Sequence, residues 1–377
     1  MFDLPWLFAE CPRLKDVPVL LVHGERDRQG MTKECKAYAN VTPVAPPLPI
    51  AYGTHHTKMF VALYPEKVRV AVFTANFLSG DWNTKTQGVW YQDFGLKVMS
   101  DSDEEEEKTD DTTANAIDVF DVKNDFEADL VLYLSSLGPQ VKLLCGELKR
   151  FDFSVARVAL VSSVPGVYKG KDMEKYGHLR VRKLLKMFKI PPTDNPLICQ
   201  RNSLEGWNAG RSIPCPLKNM KPFLHKYLRK WTPPTDLHRQ NAMPHIKTYA
   251  RFDPSDERAG ELDWAILSSS NLSKAAWGTF QKNRMQFMIR SYELGVMFLP
   301  PLLSRETGGP PTHLVTIGSK LAQHLDAETI DGATCRLPLP YNFPLSSTTY
   351  NPKKDEPWVW DLVRESPDIF GSAYILH

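Results

Sequence analysis

The feature that most constrains this chain is a phrase that it uses twice. Gly53-Thr54-His55-His56-Thr57-Lys58-Met59 is followed by the apolar run Val68 to Phe73 and then by Thr74-Ala75-Asn76. Asn241-Ala242-Met243-Pro244-His245-Ile246-Lys247-Thr248 is followed by Trp264 to Leu267 and then by Ser268-Ser269-Ser270-Asn271. In both copies H-x-K precedes an apolar strand that ends in small hydroxyl residues and an asparagine, and the two histidines lie 189 residues apart. A single H-x-K is ordinarily an exposed strand turn, because so short a pattern arises by chance. Its repetition with the same sequel implies an internal echo, and so a chain of two comparable halves.

The rest of the pattern agrees. With 377 residues, 42% of them hydrophobic and 24% charged, the chain can bury one large core or two ordinary ones, and fibrous and wholly disordered states drop out. Val17 to Val22, Val68 to Phe73, Arg157 to Val161, Ala265 to Leu267 and Leu294 to Leu299 read as buried strands. Phe126 to Leu137, Leu179 to Phe188 and Met220 to Trp231 carry helical spacing. This alternation implies an α/β fold of two similar α/β/α sandwich halves related by a pseudo-twofold, each with a mixed sheet flanked by helices. The division is expected near Val164, giving residues 1–164 and 165–377, each with one H-x-K…N set.

Charge and cysteine usage narrow the class. The formal net charge is +2, but the acidic stretch from Asp101 to Asp111 holds −7 of it, so the remainder is basic at +9. Residues 99–116 lose all periodicity and read as a solvated acidic loop on a body suited to meeting phosphates. The six cysteines form no C-x-x-C pair and read as reduced core thiols of a cytosolic or nuclear protein. No window approaches the apolar length of a membrane span, and the start Met1-Phe2-Asp3-Leu4-Pro5-Trp6 lacks the form of a secretory signal. Nothing suggests a seam of repeated apolar residues, so a monomer is expected.

If the two copies face each other, their pocket contains His56, Lys58 and Asn76 together with His245, Lys247 and Asn271. That inventory suits a phosphodiester. The lysines and carboxamides can hold the charge that develops on non-bridging oxygens. One imidazole can attack phosphorus while the other protonates the leaving oxygen and later activates water. The residues alone do not say which histidine attacks, and the scheme needs neither a metal nor a cofactor. The sequence has no H-E-x-x-H, no G-x-x-x-x-G-K-[ST] and no G-x-S-x-G.

Several longer stretches carry a resemblance: Tyr52 through Met59, Asp81-Trp82 with Lys85 through Trp90, Asn241 through Tyr249, Ser270 through Gly278 and Met288 through Leu299. In these the chain resembles the 3′-acting tyrosyl-DNA phosphodiesterases, a branch of the phospholipase D superfamily. Weaker similarity runs from Leu20 to Trp360, so most of the chain is covered. The wider superfamily places an Asp five residues after the lysine, where this chain has Leu63 and Phe252. That departure marks this branch and counts against a phospholipase.

The resemblance implies a DNA-repair activity on the 3′-phosphotyrosyl bond left by topoisomerase I, and hence DNA and a peptide as partners and a nuclear setting. It implies His56 as the nucleophile, forming a phosphohistidine, and His245 as the acid and then the base. Lys58, Asn76, Lys247 and Asn271 would hold the phosphate, while Glu293 and Gln87 orient the imidazoles; taken alone, those two read as a strand-start surface carboxylate and a turn amide. Tyr52 would stack on a base, although as a plain residue it reads as a half-buried strand tyrosine. Ser273 and Lys274 would grip a DNA phosphate at the start of a helix, where capping alone also explains them. Trp358 would line the peptide side of the bowl or pack in the core. His55 reads as structural, and His23, His178, His225 and His313 receive no role.

Two departures accompany the resemblance. Between Gln200 and Arg201 the family has a longer, Ser-rich stretch that contacts DNA, which this chain shortens or lacks. Met1 falls where the family already has an earlier strand and a long N-terminal region, so targeting signals are expected upstream. Two rivals follow from the residues themselves: a broader nuclease or phospholipase D-like activity, and a DNA-binding scaffold whose lysines only neutralise phosphates.

Overall fold

The computed structural model describes residues 1–98, 124–200, 221–255 and 260–303, with the short stretches 313–316 and 334–345, excepting 230, 240, 241 and 344. The acidic stretch 99–116, Trp358 and Asn241 therefore lie outside the described residues. No helix among the described residues is long and apolar enough to cross a membrane.

The first half opens with α1 (Leu4–Glu10), β1 (Val19–Val22), α2 (Arg28–Cys35) and β2 (Val41–Val44). It continues with β3 (Met59–Leu63), β4 (Lys67–Phe73), α3 (Ser79–Asn83), β5 (Lys85–Thr86) and β6 (Val89–Gly95). Next come α4 (Phe126–Ser135), α5 (Pro139–Leu148) and β7 (Ala159–Ser163); past Val164, the expected division, stand β8 (Gly166–Tyr168), α6 (Gly177–Met187) and β9 (Leu197–Gln200). The second half adds β10 (Met243–Pro244), β11 (Thr248–Phe252), β12 (Glu261–Ser268), α7 (Lys274–Trp277), β13 (Thr279–Gln281) and β14 (Gln286–Ile289). It ends with β15 (Glu293–Phe298), α8 (Pro300–Leu303), β16 (His313–Thr316) and β17 (Thr334–Leu337).

The chain is a mixed α/β protein. One antiparallel sheet runs β3-β4-β6, beside a parallel pair β1-β2. The larger sheet runs β17-β16-β12-β11-β9, with β15 on β12 and β7 on β15. Only its β16-β17 pairing is parallel, so it is mixed. Val164 lies between β7, which pairs with β15, and β8, which pairs with β14. Strands β5 and β10 pair in parallel and tie the two halves together.

Residue choice explains these elements. In β4 Val68, Val70 and Val72 are fully buried on one face while Lys67 and Arg69 face outward and both reach Asp93. In α4 Phe126, Leu130, Tyr133 and Leu134 form the buried stripe of a 3.6-residue period. These side chains join Ile246, Leu267, Leu294 and Val296 in one apolar core that crosses between the halves. Each such buried aliphatic side chain contributes about 1.5–3 kcal/mol, so the core itself fixes how the halves meet.

Two expectations change. Met220 to Trp231 is not an α-helix: its described part is a short 3₁₀ turn, Pro222–Tyr227, that buries no residue and stops at an extended Leu228. Without an apolar face to dock, helical spacing is insufficient to hold an isolated helix of this length. The thiols are not uniformly core residues, since Cys11 is exposed and Cys199 and Cys335 are half-buried. Each H-x-K lies just before a strand, leading into β3 and β11.

A duplicated site at the junction of the halves

Backbone hydrogen bonds explain why H-x-K stays out of the ladders. The His56 N–H donates to the Tyr292 carbonyl at 3.0 Å, and the His245 N–H donates to the Thr86 carbonyl at 2.8 Å. Each histidine segment is thus pinned by the opposite half. The residues that follow those two carbonyls are Glu293 and Gln87, and each meets the ring of the histidine its neighbour holds. His56 Nδ1 lies 2.9 Å from Glu293 Oε2, and His245 Nδ1 lies 3.0 Å from Gln87 Oε1.

The echo extends to further polar contacts around them. Lys58 donates to the His56 carbonyl at 2.7 Å, and Lys247 to the His245 carbonyl at 2.8 Å. Phe73 N–H donates to the Lys58 carbonyl, as Ser268 N–H does to that of Lys247. Three residues beyond Phe73 and Ser268 stand Asn76 and Asn271. The Thr74 hydroxyl accepts from Gly88 N–H and donates to Gln87 Oε1, while the Ser269 hydroxyl accepts from Leu294 N–H and donates to Glu293 Oε2.

These bonds fix protons. Gln87 Nε2 donates to the Asp81 carbonyl at 3.0 Å, so the amide oxygen is the atom turned to His245, and it accepts from Nδ1–H. Glu293 does the same for His56 as a carboxylate. Both rings therefore carry a proton on Nδ1, which leaves Nε2 as the nitrogen turned away from these partners. His245 Nε2 is buried and has no hydrogen-bond partner, and the same holds for the Asn271 side-chain oxygen.

Burial gives the site its electrostatics. Lys58, Asn76, Asp81, His245, Lys247 and Glu293 are all buried, a concentration of polar groups that costs stability unless it serves chemistry. Burial, then Lys247, Lys58, Lys85 and His56, push the His245 pKa far below its ordinary value. For Glu293 burial acts upward, but His56, Ser269 and Lys58 outweigh it and hold the carboxyl below its usual range. Burial and Lys58 lower His55 to about 3, and its ring packs against Tyr292, consistent with a structural role.

The remaining expected residues are placed as follows. Glu293 is not a surface carboxylate but a buried one at the first position of β15. Tyr52 is not a strand residue: it is 87% exposed, in a turn, with φ of 59°. Next to it Gly53 packs so closely that a Cβ would meet the Arg290 carbonyl oxygen at 2.5 Å. Ser273 caps α7 by accepting from Ala276 N–H, and Lys274 follows it, exposed.

Three residues of the cluster had no role from the sequence: Thr74, Ser269 and Asp81. Position in the repeat was the signal available for the two hydroxyls. Asp81 accepts from Asn76 N–H and Asn76 Nδ2, each at 2.8 Å, and from Lys85 at 2.6 Å. Among the described residues no group of three or more His, Cys, Asp or Glu side chains is arranged to hold a metal ion.

Mixed sheets that bring the two H-x-K…N sets together, with Lys58 and His56 near enough to act on His245, form the frame of a phosphodiesterase. The model of the tyrosyl-DNA phosphodiesterase family matches residues 1–201 and 199–349, and the chain belongs to that family. The tyrosyl-DNA phosphodiesterase 1 of Arabidopsis thaliana is 35% identical across 99% of this chain and 70% of the relative. That of Drosophila melanogaster is 29% identical across 97% of this chain and 67% of its own. The Arabidopsis alignment runs over 453 positions against 377 residues here, and the two family matches meet at 199–201, where the sequence suggested a shortened stretch. A crystal structure of the yeast tyrosyl-DNA phosphodiesterase shares the fold, with a TM-score of 0.58 at 16% identity over 94% of this chain and 90% of that one.

Proposed function

We propose that this chain is a DNA-repair hydrolase that cleaves the bond between a DNA 3′-phosphate and the tyrosine of a topoisomerase I-derived peptide. His56 Nε2 attacks phosphorus as the P–O bond to tyrosine breaks, and His245 Nε2–H gives its proton to the departing oxygen. Water then attacks the phosphohistidine, His245 Nε2 takes the water proton, and the P–N bond breaks to leave a 3′-phosphate and restore His56. Lys58, Lys247, Asn76 and Asn271 hold the non-bridging oxygens, and no step calls for a metal.

The observation that carries the assignment is the difference between the orienting groups. A carboxylate on His56 Nδ1 favours the cationic ring that a phosphohistidine contains, which suits a nucleophile. A neutral amide on His245 Nδ1 fixes the tautomer without trapping the proton, which suits an acid that must let go and then act as base. Exposed Tyr52 offers a face on which a base can stack, and Ser273 and Lys274 stand on the same approach to Asn271 as phosphate contacts. Trp358 is proposed as a peptide contact on the family resemblance alone. The proposed setting is the nucleus, with the protein acting as a monomer.

The test is the intact mass of His245→Ala after mixing with a 3′-phosphotyrosyl oligonucleotide. An adduct with the mass of the 3′-phosphorylated DNA, absent when His56 is also replaced, is expected. An active parent enzyme with no adduct in the variant overturns the nucleophile, and dependence of the parent on an added divalent ion overturns the metal-free scheme.

A further inference from the structure

We propose that Asp81 is the charge partner of His245, a positioning residue that allows this imidazole to carry the proton it gives to the leaving tyrosine oxygen. The inference rests on the reading of His245 as the acid. It starts from a difference in charge between the two halves. At the orienting position His56 has the carboxylate Glu293 and His245 has the amide Gln87. Five residues beyond the asparagine the relation reverses: after Asn76 stands Asp81, and after Asn271 stands buried Ala276. Each imidazole therefore has one buried carboxylate of its own, in direct contact for His56 and one layer back for His245.

Asp81 is 2% exposed, and its Oδ2 lies 3.8 Å from His245 Nδ1. Its carbonyl takes the Gln87 amide N–H, which turns the Gln87 oxygen to the ring. Its carboxylate takes the Asn76 amide, which orients a proposed phosphate donor. The charged groups that face His245 are Lys247 from its own segment, Lys58 and His56 from the opposing one, and Lys85 from β5, each opposing a proton on the ring. Glu293 is engaged by His56 and Ser269, whereas Asp81 is bound to Lys85 and cancels that cation where it acts. A carboxylate at this distance works through its field and leaves Nδ1–H on the neutral Gln87, so His245 gains a proton without being locked as a cation.

The experiment measures single-turnover cleavage across pH for Asp81→Asn and Lys85→Met, with two substrates: a 3′-phosphotyrosyl oligonucleotide and the corresponding 4-nitrophenyl ester, whose leaving group needs little protonation. For Asp81→Asn the alkaline limb with the tyrosyl substrate is expected to move down by about one pH unit, a loss of about tenfold on that limb, while the nitrophenyl ester, which feels Asp81 only through Asn76, loses less and shows no such displacement. Lys85→Met removes the opposing cation and is expected to move the limb upward. Equal slowing of both substrates with the limb in place, or shifts of the same sign in the two variants, overturns the proposal. If Asp81→Asn does not fold, the direction of the Lys85→Met shift decides. His245→Ala run in parallel separates the two levels: selective loss with the tyrosyl substrate upholds the acid role, so that a failure of Asp81→Asn then counts against Asp81 alone, and equal loss with both substrates removes the acid role and this proposal with it.

Discussion

Gln87 and Glu293 occupy one and the same position of a duplicated unit, yet one is an amide and the other a carboxylate. Each follows the residue whose carbonyl holds the opposite histidine, and each accepts from that histidine's Nδ1 and from a hydroxyl of its own half. Glu293→Gln makes the two ends alike and removes the charge that favours a cationic His56. Formation of the phosphohistidine is expected to slow by about a hundredfold, in the usual range for a positioned acid–base group, with substrate affinity nearly unchanged. Rapid-quench measurement of tyrosine release checks this, and an unchanged rate removes the electrostatic role from Glu293.

Much of this was legible in the sequence, and the reason is specific. Val68 to Phe73 and Trp264 to Leu267 are strands because their residues fit buried, pleated positions, and the H-x-K…N spacing survives as one hydrogen-bond pattern repeated on both sides. What the sequence hid was long-range. Nothing local in Thr86-Gln87 or Tyr292-Glu293 says that their carbonyls would hold His245 and His56, because those contacts form only when the halves share a core. For the same reason Glu293 read as a surface carboxylate and Tyr52 as a strand residue. The stretch Met220 to Trp231 failed in the opposite way, with periodicity present but no partner surface to reward it.

The matched hydroxyls make a stability prediction. Thr74→Val leaves Gly88 N–H and Gln87 Oε1 without their shared partner in a buried setting. It is expected to cost about 1–3 kcal/mol, the penalty for a buried group deprived of its hydrogen bond, whereas Thr74→Ser is expected to stay within about half of that. Urea unfolding of the two variants measures the difference. Equal losses for Val and Ser locate the effect in packing and not in the hydroxyl.

Tyr52 separates binding from chemistry. It is exposed, and it is held at a positive φ that a residue other than glycine adopts at some cost. A side chain kept in such a conformation and left in solvent suits a stacking platform. Tyr52→Ala is expected to weaken oligonucleotide binding by about 1–3 kcal/mol, raising KM while kcat stays level, and Tyr52→Phe is expected to behave like the parent. A fall in kcat with KM unchanged would assign the residue to the chemistry instead.

Acid stability follows from the buried rings. His245 lies far below its ordinary value and His55 is lowered to about 3, so the folded protein refuses protons that the unfolded chain takes up below 6.5. Both histidines therefore contribute stability that is present above 6.5 and is lost as pH falls beneath it. Asp129, raised to about 6 by burial, acts in the opposite sense: the folded form holds its proton more tightly and gains as the pH falls toward 3.8. Glu293, held below 4.5, adds its own loss only at lower pH. With His23, which burial also lowers, three histidines stand against one carboxyl, so unfolding free energy is expected to fall by at least about 1.4 kcal/mol per pH unit below about 6. His55→Phe keeps a ring against Tyr292 and removes one titrating group, so its profile in that window is expected to be shallower by up to about 1.4 kcal/mol per pH unit. Denaturant midpoints of the free protein and of His55→Phe across that window measure both slopes, and parallel slopes would show that burial does not govern the His55 ring.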